Sequence, residues 1–205
     1  MTYENESRER LIECAKREFL EKGFAKASLR SISAAAGLTT GAVYFFFKDK
    51  NGLLGAIVDE PLQRIYQALK AHYSSELKED FSVYQHTDGD HDELAEQLIP
   101  QMYADYDALM ILLEKSAGSK YERVVDEIID LTERYYGTIA ENFAAAVPGK
   151  QVNRYMLHWF SHVQINAFVH LLTHVRDEQT ALREIKPVMN MLIDGWMKYI
   201  LMDKD

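Results

Sequence analysis

The chain has a single cysteine, Cys14, and only four prolines and ten glycines in 205 residues. One cysteine cannot form an intrachain disulfide and excludes a zinc module built on Cys-x-x-Cys pairs. Such sparing use suits a reducing compartment. Proline and glycine are too few for a low-complexity or loop-rich chain. The longest apolar run, Gly41 to Phe47, falls far short of the roughly 18 residues a membrane helix needs. The first residues, Met-Thr-Tyr-Glu-Asn-Glu-Ser, are polar and acidic, unlike a secretory signal. A cytoplasmic protein with no membrane partner is therefore expected. What is present is ordinary globular composition, 47% hydrophobic and 27% charged. It suffices for one ample domain or for a small domain joined to a larger one.

The net charge is −9, which argues against nucleic acid when taken alone. It is unevenly spread. Residues 1–50 hold nine Lys/Arg against seven Asp/Glu, a balance of +2, which leaves −11 for the remainder. A mildly basic head on an acidic body leaves room for DNA binding by the head alone. A solvated helix face explains the same charges, since acids lie between the cations.

Apolar residues recur at helical spacing almost throughout. Residues 7–22 place Leu11, Ala15 and Phe19 on one face, and Gly23 is suited to stop that helix. Ser28 is placed to cap Leu29–Ala36, Gly37 to end it, and Thr39 to cap Thr40–Phe47. A long helix follows over residues 53–77, with Pro61 in its interior, where a kink is expected. Residues 79–92 read as a loop. Further helices are expected over 93–99, 100–115, 119–146, 150–175 and 187–202, with Pro100 and Pro187 in first turns. No period-two strand pattern of useful length is present.

Residues 28–50 have the logic of a helix–turn–helix. Two short helices crossing over a tight turn need small residues where they touch, and Ala34, Ala35 and Ala36 supply them. The turn needs positive φ, which Gly37 takes freely. The second helix must enter a groove about 12 Å wide with its N-terminal end first. Thr39 and Thr40 put hydroxyls there, and Gly41 removes bulk at a cost of about 1 kcal/mol in helix propensity.

This stretch resembles the DNA-binding domain of the tetracycline-repressor (TetR) family of bacterial regulators. The resemblance rests on Ala36-Gly37-Leu38-Thr39-Thr40-Gly41 and on Val43-Tyr44-Phe45-Phe46-Phe47-Lys48-Asp49-Lys50, followed by Leu53-Leu54. It covers about a quarter of the chain; the rest agrees in length and helical layout. The resemblance implies that Thr39, Thr40, Gly41 and Ala42 face base edges or the groove floor. It implies that Tyr44 and Lys48 reach phosphates, that Lys50 adds a backbone contact, and that Arg30 adds one to phosphate or base. Phe46 stands where the family often has His or Tyr, so one phosphate contact is replaced by packing on sugar or a thymine methyl. Phe45 is counted on the DNA side, with core packing as the alternative. Val43 and Phe47 are expected to pack inward with Leu29, Ile32 and Phe19.

The same resemblance implies a homodimer paired through the last two long helices, with Trp159, Val163, His170, Val188, Leu192, Trp196 and Tyr199 as interface candidates. The 150–175 segment is apolar nearly all round, as a helix buried on several sides must be. It also carries His158, His162, Asn166, His170 and His174 at four-residue steps, an inclined ridge. The ridge lines a ligand cavity, joins the dimer interface, or is satisfied core histidine; metal is the least favoured reading. An effector cavity in the body is implied, with Met102, Tyr103, Tyr106, Met110, Tyr135, Phe160, His162 and Asn166 as candidates. Aromatics and methionine suit a mid-sized apolar ligand, and the acidic body tolerates a cation. The loop around His86 and His91 is rich in ligand types but lacks calcium-loop spacing.

The expectation is an all-α protein: a three-helix helix–turn–helix domain over 1–50, then a larger helical ligand-binding and dimerisation domain over 51–205. Its function is a ligand-responsive transcription regulator without enzymatic activity or cofactor. It binds a palindromic double-stranded operator as a homodimer, as a repressor released by a small-molecule effector of unknown identity. The rivals are a DNA-independent helical interaction protein and a metal-dependent enzyme using His158 and His162. Pro61 is either a coupling point between cavity and head or a passive static bend.

Overall fold

A computed structural model describes residues 3–78 and 93–204. The expected loop over 79–92, with His86 and His91, lies outside the described residues. The architecture is helical, as expected. In chain order the elements are α1 (Tyr3–Lys26), α2 (Leu29–Ala35), α3 (Thr40–Phe47), α4 (Lys50–Glu76), α5 (Glu93–Ala104), α6 (Tyr106–Glu114), α7 (Val124–Ala146), β1 (Lys150–Val152), α8 (Arg154–His174), α9 (Glu178–Tyr199) and β2 (Leu201–Asp203).

The chain forms two compact units. Met1–Arg64 with Ala104–Val124 make the first, and Ile65–Tyr103 with Val125–Asp205 make the second. The chain passes from one to the other within α4. The division proposed from sequence at residue 50 separates a DNA-binding segment from a sensing segment; the compact units group α4's first half and α6 with the head.

In the first unit Leu11, Ala15, Phe19, Val43, Leu53 and Leu54 are fully buried, and Ile32 and Phe47 nearly so. α1 packs on α2 and on α6, and α2 on α3. Gly23 interrupts α1 with φ 74° and ψ 161°, and the next amide, Phe24 N–H, donates to the Lys115 carbonyl at 2.7 Å. Cys14 is buried beside the Arg17 guanidinium.

In the second unit α8 and α9 pack side by side. Ala140, Leu157 and Ile200 form a buried cluster covered by Tyr136, Val152, Trp196 and Leu201. Buried Tyr73 stacks on Tyr135 and its hydroxyl pairs with Thr132 at 2.8 Å.

Several boundaries differ from the sequence reading, for local reasons. Residues 150–152 are a strand, not the start of a helix: they pair antiparallel with Leu201–Asp203 in the register Val152 to Leu201. The helix starts only at Arg154, where the Asn153 side chain accepts the Met156 N–H at 3.2 Å. The last helix begins at Glu178 rather than Pro187, because Asp177 caps it by accepting from Thr180 N–H at 2.7 Å. Pro187 and Pro100 lie in helix interiors, not first turns. The fourth helix starts at Lys50, earlier than residue 53, with the Asp49 carboxylate accepting Gly52 N–H at 2.8 Å. The seventh starts at Val124 rather than 119, after a turn tied by Ser119. α4 runs on as one helix through Pro61.

Candidate nucleic-acid interface and effector cavity

The head places its candidate contacts on and around α3. Ser28 caps α2 as expected, its hydroxyl accepting from Ser31 N–H at 3.3 Å. Gly37 takes φ 67°, with no atom within 4 Å of where a Cβ would stand, so conformation rather than space requires glycine. Leu38 N–H then closes the turn on the Ser33 carbonyl at 2.9 Å. Buried Ser33 reaches across it, its hydroxyl 3.3 Å from that of Thr40. Thr39 occupies the N-cap position of α3 in extended conformation, but its side chain makes no capping bond. That hydroxyl is therefore not spent on the fold, while that of Thr40 is shared with Ser33.

Val43 and Phe47 point inward, as expected. Tyr44 is 56% exposed and Phe45 73% exposed, which removes core packing as the role of Phe45. Phe46 is half-buried, edge-on to Phe45 with ring centroids 5.0 Å apart. Ala42 is half-buried, and Arg30, Thr39 and Gly41 are exposed. Lys48 closes α3 with φ 69°, the only positive φ outside glycine among the described residues. A non-glycine side chain there costs about 1–2 kcal/mol. The strain keeps an exposed cation at the end of α3. Lys50 is partly withdrawn. Its ammonium lies 4.7 Å from the Phe24 ring centre and 3.4 Å from the Ala25 carbonyl oxygen, and burial pushes its pKa down.

Gly41 and Gly52 are both helical, with opposite surroundings. A Cβ on Gly41 would meet only Thr39 Oγ1 at 3.6 Å, ordinary contact. Nothing in the fold demands glycine there, which fits a need for close approach from outside. A Cβ on Gly52 would stand 1.9 Å from the Phe47 carbonyl oxygen. Gly52 thus sets the α3–α4 junction that holds Lys48, a role the sequence reading missed. Gly41→Ala is expected to raise the stability of the head by up to about 1 kcal/mol while weakening DNA binding. A thermal melt alongside a DNA titration measures both; a variant that gains stability with unchanged DNA affinity removes Gly41 from the interface.

The second unit contains a narrow, partly open cavity of about 40 Å³. Its walls come from Glu76 on α4, Tyr136 and Ile139 on α7, Phe160 and Gln164 on α8, and Met189, Leu192, Ile193, Trp196 and Met197 on α9. Of the eight effector candidates only Phe160 lines it. Tyr106 and Met110 belong to the first unit. Met102 is core. The Tyr103 hydroxyl donates to the Val175 carbonyl at 2.6 Å. Tyr135 stacks on Tyr73. Asn166 is exposed and donates to the His162 carbonyl of its own helix at 2.8 Å. Leu192 and Trp196, expected at a dimer interface, line the cavity. The sequence reading missed Gln164, Tyr136, Met189 and Met197; the i, i+4 pair Phe160/Gln164 facing Met189/Ile193/Met197 was the available signal.

The other interface candidates fall on the surface of α8 and α9. Trp159 is 45% and Tyr199 48% exposed, with His170 exposed and Val163 and Val188 half-buried. Tyr155, Met191 and Met202 add further exposed apolar surface. Within one protomer α8 is therefore exposed along one side. The histidine ridge lies on this side: His158 is exposed and its Nδ1 is 2.8 Å from the Glu133 carboxylate. His170 and His174 stack with centroids 4.0 Å apart. Among the described residues no three His, Cys, Asp or Glu side chains form a metal-binding group. No described helix is long and apolar enough to cross a membrane.

A three-helix head that presents exposed Tyr44, Phe45 and Lys48 beyond a glycine turn has the form of a helix–turn–helix. Residues 11–57 match the family described as bacterial regulatory proteins, tetR family. The regulator TtgR of Pseudomonas putida is 41% identical over 54 residues, 26% of this chain and 26% of that protein. The match thus spans about a quarter of the length of that curated relative. Over the whole chain the fold is that of TetR/AcrR regulators. A transcriptional regulator of that family from Aquifex aeolicus superposes with TM-score 0.60 at 19% identity, covering 91% of this chain and 99% of that one. SmeT of Stenotrophomonas maltophilia, in complex with triclosan, gives TM-score 0.52 at 20% identity over 92% and 90% of the two chains.

Proposed function

We propose that this protein is a cytoplasmic DNA-binding transcription regulator, a repressor that holds a palindromic operator as a homodimer and leaves it when a small molecule fills the cavity of the second unit. The observation that carries the reading is the outer face of α3. Two aromatics and a strained lysine stand in solvent there, while Val43 and Phe47 on the other face are buried. Exposed aromatics have no folding benefit, and a lysine in place of the cheaper glycine at positive φ wants an anionic partner. Phosphate contacts by Lys48, Tyr44, Arg30 and Lys50 would fix the head on the duplex, and Thr39, Thr40, Gly41 and Ala42 would face the groove floor.

One head makes few base contacts, so a two-fold pair is needed for a useful footprint. The exposed apolar side chains of α8 and α9, Tyr155, Trp159, Met191 and Tyr199, support pairing there. Trp159→Glu is expected to turn a dimer into a monomer without unfolding it, because the side chain is already half in water. Sedimentation velocity reads this directly, and a variant that sediments as the wild type removes Trp159 from the interface.

Release requires an effector that favours the non-binding state, with a coupling of about 1–3 kcal/mol. The test of the regulator reading is the salt dependence of binding to a duplex: a steep fall in affinity with added salt supports phosphate contacts. No salt-dependent binding by folded, dimeric protein shifts the reading to a DNA-independent interaction module. The metal-enzyme alternative has no supporting observation, since His158 is held by Glu133 and no third ligand stands beside the pair among the described residues.

A further inference from the structure

We infer that the cavity between α4, α7, α8 and α9 selects a compact organic cation, an ammonium head carried on an apolar body. The inference rests on the effector-cavity reading above and adds the chemical class. Ten residues form the walls: Glu76 is the one charged group among them, and no Lys, Arg or His is present. Three walls are aromatic, Tyr136, Phe160 and Trp196. Tyr136 and Trp196 lie with ring centroids 5.7 Å apart, and Phe143 packs edge-on behind Trp196. Aromatic faces attract a cation through the ring quadrupole, more strongly where water is excluded. A carboxylate at the same site adds a Coulombic attraction for a cation and repels an anion. Two polar wall groups remain: Gln164, a neutral amide that donates to the Tyr136 hydroxyl at 3.1 Å, and the buried Trp196 indole N–H, which has no hydrogen-bond partner among the described residues.

Glu76 is set up for this role. It sits in the last turn of α4 and is mostly buried, with its Oε1 3.2 Å from His72 Nε2. His72 is its ion-pair partner when protonated, and no lysine or arginine lines the cavity. Burial, with a smaller contribution from the charge of Glu76, pushes the nearby Tyr73 hydroxyl pKa upward, so the phenol stays neutral. The cavity as it stands is small beside the void of roughly 150 Å³ that accepts benzene. Met189 and Met197 are the walls able to widen it, since unbranched thioether side chains change rotamer readily. Gly195 lies against the Phe160 ring: a Cβ there would stand 3.2 Å from its edge, so the α8–α9 contact behind the cavity is already tight and expansion falls to the methionines.

Calorimetric titration of the full chain with two isosteric probes tests the class. Benzyltrimethylammonium and neopentylbenzene share shape and differ in one charge. The cation is expected to bind about tenfold tighter than the neutral probe, and phenylacetate not to bind measurably. Glu76→Gln is expected to reduce cation affinity about tenfold and leave neopentylbenzene unchanged, a pattern general unfolding would not give. Trp196→Phe keeps an aromatic wall and is expected to weaken the cation by a smaller factor. Equal affinity for the two probes, tighter binding of phenylacetate, no binding of any probe, or a cation affinity indifferent to Glu76→Gln overturns the inference. DNA release is read separately. Cation binding that obeys this pattern without releasing DNA upholds the class and refutes the effector reading, whereas release by a neutral or anionic probe alone does the reverse.

Discussion

Gly52→Ala is expected to destabilise the head more than any other single methyl addition considered. The new Cβ would meet the Phe47 carbonyl oxygen at 1.9 Å, and that atom is backbone, fixed by the end of α3. Relief requires the α3–α4 junction to open, which also breaks the bond from Gly52 N–H to Asp49 at 2.8 Å. Overpacking of this kind costs about 1–3 kcal/mol, or more where nothing can yield. At roughly 2–4 °C per kcal/mol for a chain of this size, the melting temperature falls by several degrees. Gly41→Ala, a methyl added one helix away with only ordinary contact, is the control and moves the melt the other way. Circular dichroism melts of the two variants check the contrast. Equal melting temperatures would show that the junction is not the fixed point of the head.

The second large effect concerns DNA. In Tyr44→Ala/Lys48→Ala both side chains are removed from an exposed surface, so the melt should change little. Alanine keeps the cost of positive φ at position 48, which isolates the loss of the ammonium. Lys48→Gly relieves the strain instead and is expected to stabilise the head by about 1 kcal/mol while losing the same phosphate contact. If each protomer of a dimer loses one lysine–phosphate contact, the slope of log affinity against log salt becomes shallower by about two. Affinity at fixed salt falls by about three orders of magnitude if each of the four lost contacts, two per protomer, is worth on the order of 1 kcal/mol. DNA binding measured by anisotropy across a salt series gives both quantities. A double variant with wild-type slope and affinity would place the interface elsewhere.

Much of this was legible in the sequence, and the head most of all. Ser28, Gly37, Val43 and Phe47 each do what their chemistry demands, because caps, positive φ and burial of an amphipathic helix are local requirements. Gly52 was not legible: its reason is a carbonyl five residues back, visible only once the chain turns. The strand pair escaped because three residues are too few for a period of two, and the partners lie fifty residues apart. Pro100 and Pro187 misled because proline at a first turn is the local preference, while Asp177 and the packing of α9 extended that helix past its proline.

In the second unit, composition does not distinguish the helix face that lines the cavity from the face left exposed. Trp196 and Leu192 look alike to any hydrophobicity argument as cavity wall and as interface. Only the pairing of α9 with α8 turns them inward and leaves Trp159, Met191 and Tyr199 outside. Tyr106 and Met110 share the aromatic and thioether character of a cavity wall, yet α6 packs on α1 in the other compact unit.

The most direct measurement of the central claim is enrichment of bound duplexes from a random DNA library near physiological salt, with the Tyr44→Ala/Lys48→Ala protein run in parallel. The account predicts a two-fold-symmetric sequence, half-sites spaced by about one helical turn or a multiple of it, enriched by the wild type and absent from the variant. Enrichment of no sequence by folded, dimeric wild-type protein, or of the same sequence by both proteins, would contradict it.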